Sequence, residues 1–271
     1  MFKGAAVNKN MLKRSVINVR MLIVVLVTLF IVFYELFYNS TIWYFGLKNY
    51  DVNIVYQIET LMKLSVYVPL ASIFPGIAYG FSIMEERNSG FLKTELTRIN
   101  KKNYIRKKVF YAGFSGMVST LLPYIIIVIV CYAIGCTPST PANRGFQFQN
   151  WMWTKYMYIW GGFFFVLCQG ILFALNGIFW ALFSMLISLV IRNRYIAYII
   201  PYIFDNITEI IGRQVYIHKH QTHYIPHFFL KAGFTADTWV GKVYVIYIIY
   251  IVLLAVAIYR VFITQCRNGN I

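Results

Sequence analysis

Acidic side chains are scarce in this sequence, and charged side chains of either sign are few. Only 9 of the 271 residues are Asp or Glu, and charged residues make up 13% of the chain, whereas 59% of the residues are apolar. A soluble domain usually carries about a quarter charged residues and less than half apolar ones. The composition therefore argues against a soluble globular enzyme. It also excludes a disordered chain, because such chains have too few apolar residues to bury.

The sequence also lacks the motifs of several kinds of active site. Its four cysteines form no CxxC pair, so they predict neither a disulfide framework nor a cysteine metal site. No GxxxxGK[ST] pattern is present, so a P-loop for ATP is not expected in this chain. The apolar runs contain no His, and no Asp except Asp205 at the end of one run, which disfavours an intramembrane protease or lipid transferase. No catalytic residue, cofactor or metal ligand is predicted, and the chain is not expected to be an enzyme.

Long apolar runs are what the sequence does have. A membrane-spanning helix needs roughly 20 mostly apolar residues, and six runs fit that requirement. No small-residue cleavage site follows the first run, so it is interpreted as a retained helix instead of a signal peptide. The predicted fold class is an all-α integral membrane protein, a single transmembrane domain over 1–271. Its predicted spans are 21–38, 59–84, 109–134, 155–191, 195–211 and 243–261.

The basic residues are distributed unevenly about these spans. With six spans both termini lie on one side of the membrane, and 17 of the 25 Lys and Arg residues fall on that side. The positive-inside rule therefore places both termini in the cytoplasm of a multi-pass plasma-membrane protein, which we expect to be bacterial. Because every cytoplasmic segment contributes to the excess, membrane lipid is the expected partner of these charges, and nucleic acid is not.

Two predicted cytoplasmic segments are amphipathic. Residues 1–20 place apolar side chains on one helical face and basic ones elsewhere, as in a helix lying on the inner leaflet; a flexible basic tail is the alternative. In the loop 85–108, Gly90 permits a sharp turn, and the apolar residues after it recur at helical spacing. We expect a short helix whose apolar stripe needs a partner, either lipid or a groove in another protein. The stripe consists of Phe91, Leu92, Leu96 and Ile99.

The layout of the whole chain resembles the permease subunits of the second superfamily of bacterial ABC exporters, which have the type V exporter fold. The resemblance rests on three local features, each of them degenerate. The first is the loop after the second span, with Glu86-x-x-x-Gly90-Phe91 followed by Leu96, Tyr104 and Lys107 or Lys108. The second is the short basic turn at 190–194, and the third is the excursion between the fifth and sixth spans.

This resemblance implies a working assembly and a role for the loop. Two permeases, as a homodimer or heterodimer, would combine with two copies of a separate ABC ATPase subunit, which would bind ATP and Mg. The short loop helix would be the coupling helix that docks on the ATPase. The residues carried over to this role are Glu85, Glu86, Arg87, Gly90, Phe91, Leu92 and Leu96.

The excursion at 205–242 contains a charged series at helical spacing. Asp205, Glu209 and Arg213 are four residues apart, so on a helix they share a face and Glu209 can pair with Arg213. These three residues are also candidates for a pathway or gate. The resemblance implies a pair of short re-entrant helices that roof the pathway outside; an ordinary interfacial loop is the alternative. All four histidines lie in 218–227, and interfacial side chains are favoured over a zinc site because no cysteine is near.

Polar residues within the spans are candidates for a pathway or gate. Glu35 is costly in lipid unless it faces protein, water or the headgroups. Gln169, Asn176, Ser184 and Ser188 share one face of the fourth span, where they line a route or tie helices together. The small residues Ser72, Gly76 and Gly80 form a stripe on the second span that predicts close packing against a neighbouring helix.

The function implied by the resemblance is ATP-driven export. Spans that are rich in Phe and Tyr and poor in charge suit a hydrophobic or amphipathic cargo. Among the cargoes of the exporters that the chain resembles, a peptide, toxin or antimicrobial peptide is preferred. Lipid or polysaccharide export is an alternative. A stand-alone channel or sensor is another, although the sequence shows neither a repeated pore-lining charge nor a filter loop.

Overall fold

The computed structural model describes residues 15–34, 70–133, 162–219 and 240–268. Every regular element in these ranges is helical, so the all-α class is confirmed for the described part of the chain. We number its α-helices α1 to α7; a π-helical stretch at Gly76–Gly80 lies between α1 and α2. The α-helices are Val19–Tyr34, Ser82–Asn88, Phe91–Arg98, Lys101–Ala133, Gly162–Val190, Arg194–Lys219 and Val240–Arg267.

Three of the described helices are long and apolar enough to cross a membrane. They are Lys101–Ala133, Val166–Val190 within α5, and Lys242–Arg267 within α7, and they correspond to the third, fourth and sixth predicted spans. Helix α1 is apolar but has only 16 residues. The chain is therefore a membrane-embedded protein. The other predicted spans stay predictions.

The outer faces of α1 and α7 are apolar and exposed. In a soluble protein such contiguous apolar surface would be an aggregation hazard, whereas hydrocarbon is a suitable solvent for it. Only 17% of the most apolar window of Lys242–Arg267 is buried inside the protein. These faces are therefore suited to lipid. Their members include Leu22, Ile23, Leu26, Phe30, Val245, Ile248, Ile249, Val252 and Leu253.

Helix α5 lies at the centre of the described helices and contacts α4, α6, α7 and the π-helical stretch. Its approach to α4 is close enough that two glycines face each other. A Cβ atom added to Gly116 of α4 would lie 2.3 Å from the backbone oxygen of Gly177 of α5. The hydroxyl of Thr120 crosses the same interface and donates to the carbonyl of Phe173 at 2.9 Å. Because no side chain separates the two backbones, only glycine fits at both positions.

The small-residue stripe of the second predicted span packs against α5. A Cβ atom on Gly76 would lie 2.4 Å from Ser184 Oγ, and one on Gly80 would lie 2.7 Å from the carbonyl oxygen of Ala181. The predicted close packing at this stripe is therefore confirmed. The π-helical stretch follows directly after Pro75, which has no backbone N–H to continue a regular α-helix.

Two segments end differently from the sequence prediction. Helix α6 continues past 211, where the fifth span was predicted to end, to Lys219. The first part of the 205–242 excursion is thus a continuation of α6 and not a separate re-entrant helix; the rest of the excursion lies outside the described residues. At the amino-terminal side, a bend at Ile17 and Asn18 precedes α1. Asn18 Oδ1 accepts the N–H of Met21 at 2.7 Å, as a helix N-cap does.

Candidate functional site

Three consecutive charged residues in α2 each contact a different part of the helical assembly. Glu86 is the innermost of the three. Its Oε1 accepts a hydrogen bond from Lys108 Nζ at 2.6 Å, and its Oε2 accepts one from the Tyr104 hydroxyl, both from the first turns of α4. The Lys108 side chain is only 1% exposed, and its ammonium lies 4.5 Å from the ring centroid of Tyr79. A buried ion pair with a cation–π contact therefore joins α2 to α4.

Glu85 faces the other side of α2 and contacts two more helices. Its carboxylate forms an ion pair with Arg20 in the first turn of α1. The hydroxyl of Tyr198 on α6 donates to Glu85 Oε1 at 3.4 Å. The Arg20 side chain is 53% exposed, so the pair contributes little to stability. Its consequence is positional: the start of α1 and the start of α6 meet at one carboxylate.

Arg87 binds the carboxyl end of α5. Its guanidinium donates to the backbone carbonyls of Leu189 at 3.2 Å and Ile191 at 3.1 Å. The last carbonyls of a helix have no intrahelical donor and carry partial negative charge, so a cation placed there is favourable. Burial lowers the pKa of Arg87, and the nearby positive charge of Arg192 lowers it further. Gln265 of α7 donates to the same Leu189 carbonyl at 2.8 Å, which brings α7 to this point as well.

The turn that links α2 to α3 depends on Gly90. Its φ is +74°, in the left-handed region that residues with a Cβ atom avoid. A Cβ atom there would meet nothing within 4 Å, so the backbone conformation requires the glycine and the available space does not. The prediction that Gly90 makes a sharp turn is confirmed. Helix α3 begins immediately afterwards at Phe91.

The apolar stripe of α3 is largely covered by the chain itself, which corrects the expectation that lipid or a groove in another protein is its partner. Leu92 is 1% exposed and belongs to a cluster that includes Tyr104, Ile105 and Phe262. Leu96 and Ile99 pack against the same cluster. Helix α4 lies directly beside α3, and α7 ends next to both of them. These two helices therefore cover the apolar stripe. We call the four exposed residues on the other side of α3 its outer face: Lys93, Thr94, Thr97 and Arg98.

The structure distinguishes between the basic residues near the start of α4. The sequence left open whether Lys107 or Lys108 belongs to the motif after the second span. Arg106 is exposed and Lys107 is half-buried, whereas Lys108 is fully buried and pairs with Glu86. Helical spacing explains the difference, because 104 and 108 are one turn apart and share the face directed at α2.

The polar residues of α5 are buried in the helix packing. Gln169 and Asn176 are 5% and 3% exposed, and Asn176 Oδ1 accepts a hydrogen bond from the Tyr247 hydroxyl of α7 at 3.1 Å. Ser184 touches the small-residue stripe, and the Ser188 hydroxyl donates to the carbonyl of Met185 within α5. Of the two possibilities left open by the sequence, tying helices together describes the contact of Asn176, whereas the Ser188 hydrogen bond stays within α5. An open route past α5 is not seen among the described residues.

Of the remaining pathway candidates, Asp205 and Glu209 have side chains that the structure describes. Asp205 is buried at 1% exposure, and Glu209, one turn further along α6, is half-buried. Glu35, the side chain of Arg213 and the histidine cluster at 218–227 lie outside the described side chains. In the part of the chain that the structure describes, no three His, Cys, Asp or Glu residues are grouped so as to hold a metal ion.

The fold and this site define the class of protein: a membrane-embedded, all-helical protein in which ionic and hydrogen-bonding contacts at one point join the helical hairpin α2–α3 to the surrounding helices. A scan of the chain against protein-family models finds no match, and a search of curated protein sequences finds none either. The resemblance to exporter permeases therefore depends on the motifs and layout of the chain alone.

Proposed function

We propose that this chain is the transmembrane subunit of an ATP-driven ABC exporter with six spans and cytoplasmic termini. The observation that carries the proposal is the set of contacts made by Glu85, Glu86 and Arg87. Through them α2 reaches the first turns of α1, α4 and α6 and the carboxyl end of α5. If the hairpin α2–α3 merely rested on lipid, it would need no such contacts with the other helices. A helix that receives a displacement from a partner needs them, because packed interfaces transmit rigid-body motion.

The burial of α3 indicates how a displacement would pass from a partner protein to the spans. Its inner residues pack into this chain, so α3 moves with α4 and α7, while its outer face is exposed and able to meet a partner. In this proposal the outer face of α3 docks on a separate ATPase subunit, which binds ATP and Mg and hydrolyses the ATP. The left-handed turn at Gly90 sets the angle at which α3 leaves α2.

The cargo proposed is a hydrophobic or amphipathic peptide, such as a toxin or antimicrobial peptide, moved out of the cell or membrane. Since the polar side of α5 is occupied by helix packing, we place the cargo route at the interface with a second permease copy. Stimulation of ATP hydrolysis by a panel of candidate peptides, lipids and polysaccharides in reconstituted vesicles tests this assignment. Stimulation by lipid or polysaccharide alone would replace the peptide proposal.

Site-specific photo-crosslinking in native membranes tests the docking. A photoreactive amino acid at Thr94, on the outer face of α3, should give an adduct whose partner carries a P-loop sequence, identified by mass spectrometry. The matched control is the same replacement at Thr264, an exposed threonine near the end of α7. An ATPase adduct at Thr94 and none at Thr264 supports the proposal. No ATPase adduct at either site would favour the stand-alone channel or sensor, and equal ATPase yields at both sites would show that the outer face of α3 is not the docking site.

A further inference from the structure

A cavity of about 440 Å³ opens between the junction of α3 with α4 and the end of α7. One side of it is apolar. Leu96 and Ile99 contribute from the end of α3, and Ile263 and Cys266 contribute from the last turns of α7. We call this cavity the α3–α7 groove. It lies beside the outer face of α3 but includes none of the four residues of that face.

The remaining lining of the groove is polar and cationic. Lys101, Lys102 and Arg267 line it together with Asn100, and no carboxylate is among the lining residues. In the described ranges none of the three cations forms an ion pair. The Asn100 side chain accepts the backbone N–H of Lys102 at 3.0 Å and so starts α4, whose positive end points to the groove. The groove therefore combines an apolar wall with a concentrated positive charge.

The position of the groove relative to the membrane identifies its occupant. Helix α4 begins at Lys101 and α7 ends at Arg267, and both helices are long and apolar enough to span. The groove thus lies at the shared end of two helices that are long and apolar enough to span, where lipid headgroups are expected. From Arg267 toward the start of α7, apolar residues recur at helical spacing at Ile263, Tyr259 and Val256. Val256 is 47% exposed. Tyr259 and Ile263 are half-buried and pack partly against the chain's own core, whereas Val256 belongs to the exposed apolar face of α7. A partly covered apolar track therefore leads from the groove to the lipid-facing side of α7.

We propose that the α3–α7 groove binds an anionic phospholipid, with its phosphate headgroup between Lys101, Lys102 and Arg267 and its acyl chains along α7. Basic pockets between spans at the cytoplasmic surface bind such headgroups. An acidic segment of a partner protein would match the charge but would leave the apolar track without an occupant. The proposal does not depend on ATPase docking, because every residue that it uses belongs to this chain and to the membrane face.

The test is native mass spectrometry of the purified full-length chain with dioleoyl phosphatidylglycerol and dioleoyl phosphatidylcholine as competing probes. We expect the native chain to retain phosphatidylglycerol preferentially. Each removed cation should weaken that binding about fivefold, so the triple variant Lys101→Ala/Lys102→Ala/Arg267→Ala should lose roughly a hundredfold. The control Lys93→Ala/Arg98→Ala/Arg194→Ala removes the same charge from other exposed positions and should change retention by less than about threefold.

A second variant tests the groove without changing its charge, and two competing anions test whether the acyl chains contribute to binding. Ile263→Trp fills the groove without changing charge and should also abolish the preference, which keeps the test decisive if the triple variant folds poorly. Equal losses in the triple variant and its control would overturn the proposal, since binding would then reflect net charge alone. Displacement of the lipid by millimolar inorganic phosphate or by a glutamate-rich peptide would overturn it as well, because a headgroup anchored by acyl chains should resist both.

Discussion

Neutralising Glu86 should destabilise the protein more than removing its partner Lys108. The Lys108 side chain is 1% exposed and that of Glu86 is 19% exposed, with 2.6 Å between the ammonium and the carboxylate. In Glu86→Gln the buried ammonium keeps only an amide oxygen and the ring of Tyr79. Leaving a charge buried without its counter-ion costs about 3–5 kcal/mol. Because the amide oxygen still accepts a hydrogen bond, we expect a loss near the lower end, about 3 kcal/mol.

Lys108→Met should cost less. The carboxylate that remains is partly solvated, and it still accepts the hydrogen bond of the Tyr104 hydroxyl. One unmade hydrogen bond at a buried polar group costs about 1–3 kcal/mol, and the residual exposure of Glu86 favours the lower half of that range. In the double variant Glu86→Gln/Lys108→Met neither charge is buried, and the amide oxygen of the new glutamine still accepts the hydrogen bond of the Tyr104 hydroxyl. Replacing both members of a buried pair is often close to neutral, so we expect the double variant within about 1 kcal/mol of the native protein.

The assay is reversible unfolding of the purified full-length chain in detergent micelles, followed by tryptophan fluorescence; Trp180, which is 1% exposed, is an internal reporter. Glu95→Gln, at a half-exposed carboxylate on α3, is the control and should change the unfolding free energy by less than about 0.5 kcal/mol. The reasoning fails if Glu86→Gln costs no more than Glu95→Gln. It also fails if the double variant is less stable than Glu86→Gln alone.

Three further predictions concern the turn and the helix contacts. Gly90→Val should cost about 1–2 kcal/mol in unfolding free energy because of its left-handed φ, whereas Gly90→Asn should cost clearly less; equal losses would show that conformation is not the cause. Gly116→Ala should cost about 1–3 kcal/mol, since its Cβ atom would lie 2.3 Å from a carbonyl oxygen of α5. Its control Gly113→Ala, whose Cβ atom would have its nearest contact at 3.4 Å, should be tolerated in the same assay. Tyr247→Phe should cost about 1–3 kcal/mol by leaving a buried amide oxygen on α5 without its donor, and an unchanged unfolding free energy would contradict this.

Much of the architecture could be predicted from local sequence. The third, fourth and sixth spans follow from run length and apolar content, because a spanning helix satisfies its own backbone and needs only an apolar surface. Gly90 was identifiable as a turn because few residues besides glycine adopt a left-handed φ without strain. The stripe of Ser72, Gly76 and Gly80 indicated close packing, because small residues at helical spacing let two backbones approach.

The candidate site could be predicted only in part. Glu85, Glu86 and Arg87 were named as coupling residues, but their contacts with Arg20, Tyr198 and the carbonyl of Leu189 were missed. These partners are 65, 113 and 102 residues away in the sequence, and no periodicity links residues across that separation. One signal was present: with so few acidic side chains in a strongly basic chain, a carboxylate beside a span is expected to have a cation near it.

The sequence by itself determined the class of this protein, an all-helical membrane-embedded chain, and the position of the short helix α3. These properties depend on the composition and spacing of neighbouring residues. Only the tertiary structure decided that Leu92 and Lys108 are buried, that Asn176 of α5 bonds to Tyr247 of α7, and that the ends of α4 and α7 enclose a cationic groove. The reason is geometric: burial and pairing are set by which other helix lies against a residue, and an amphipathic pattern specifies a buried face without specifying what covers it.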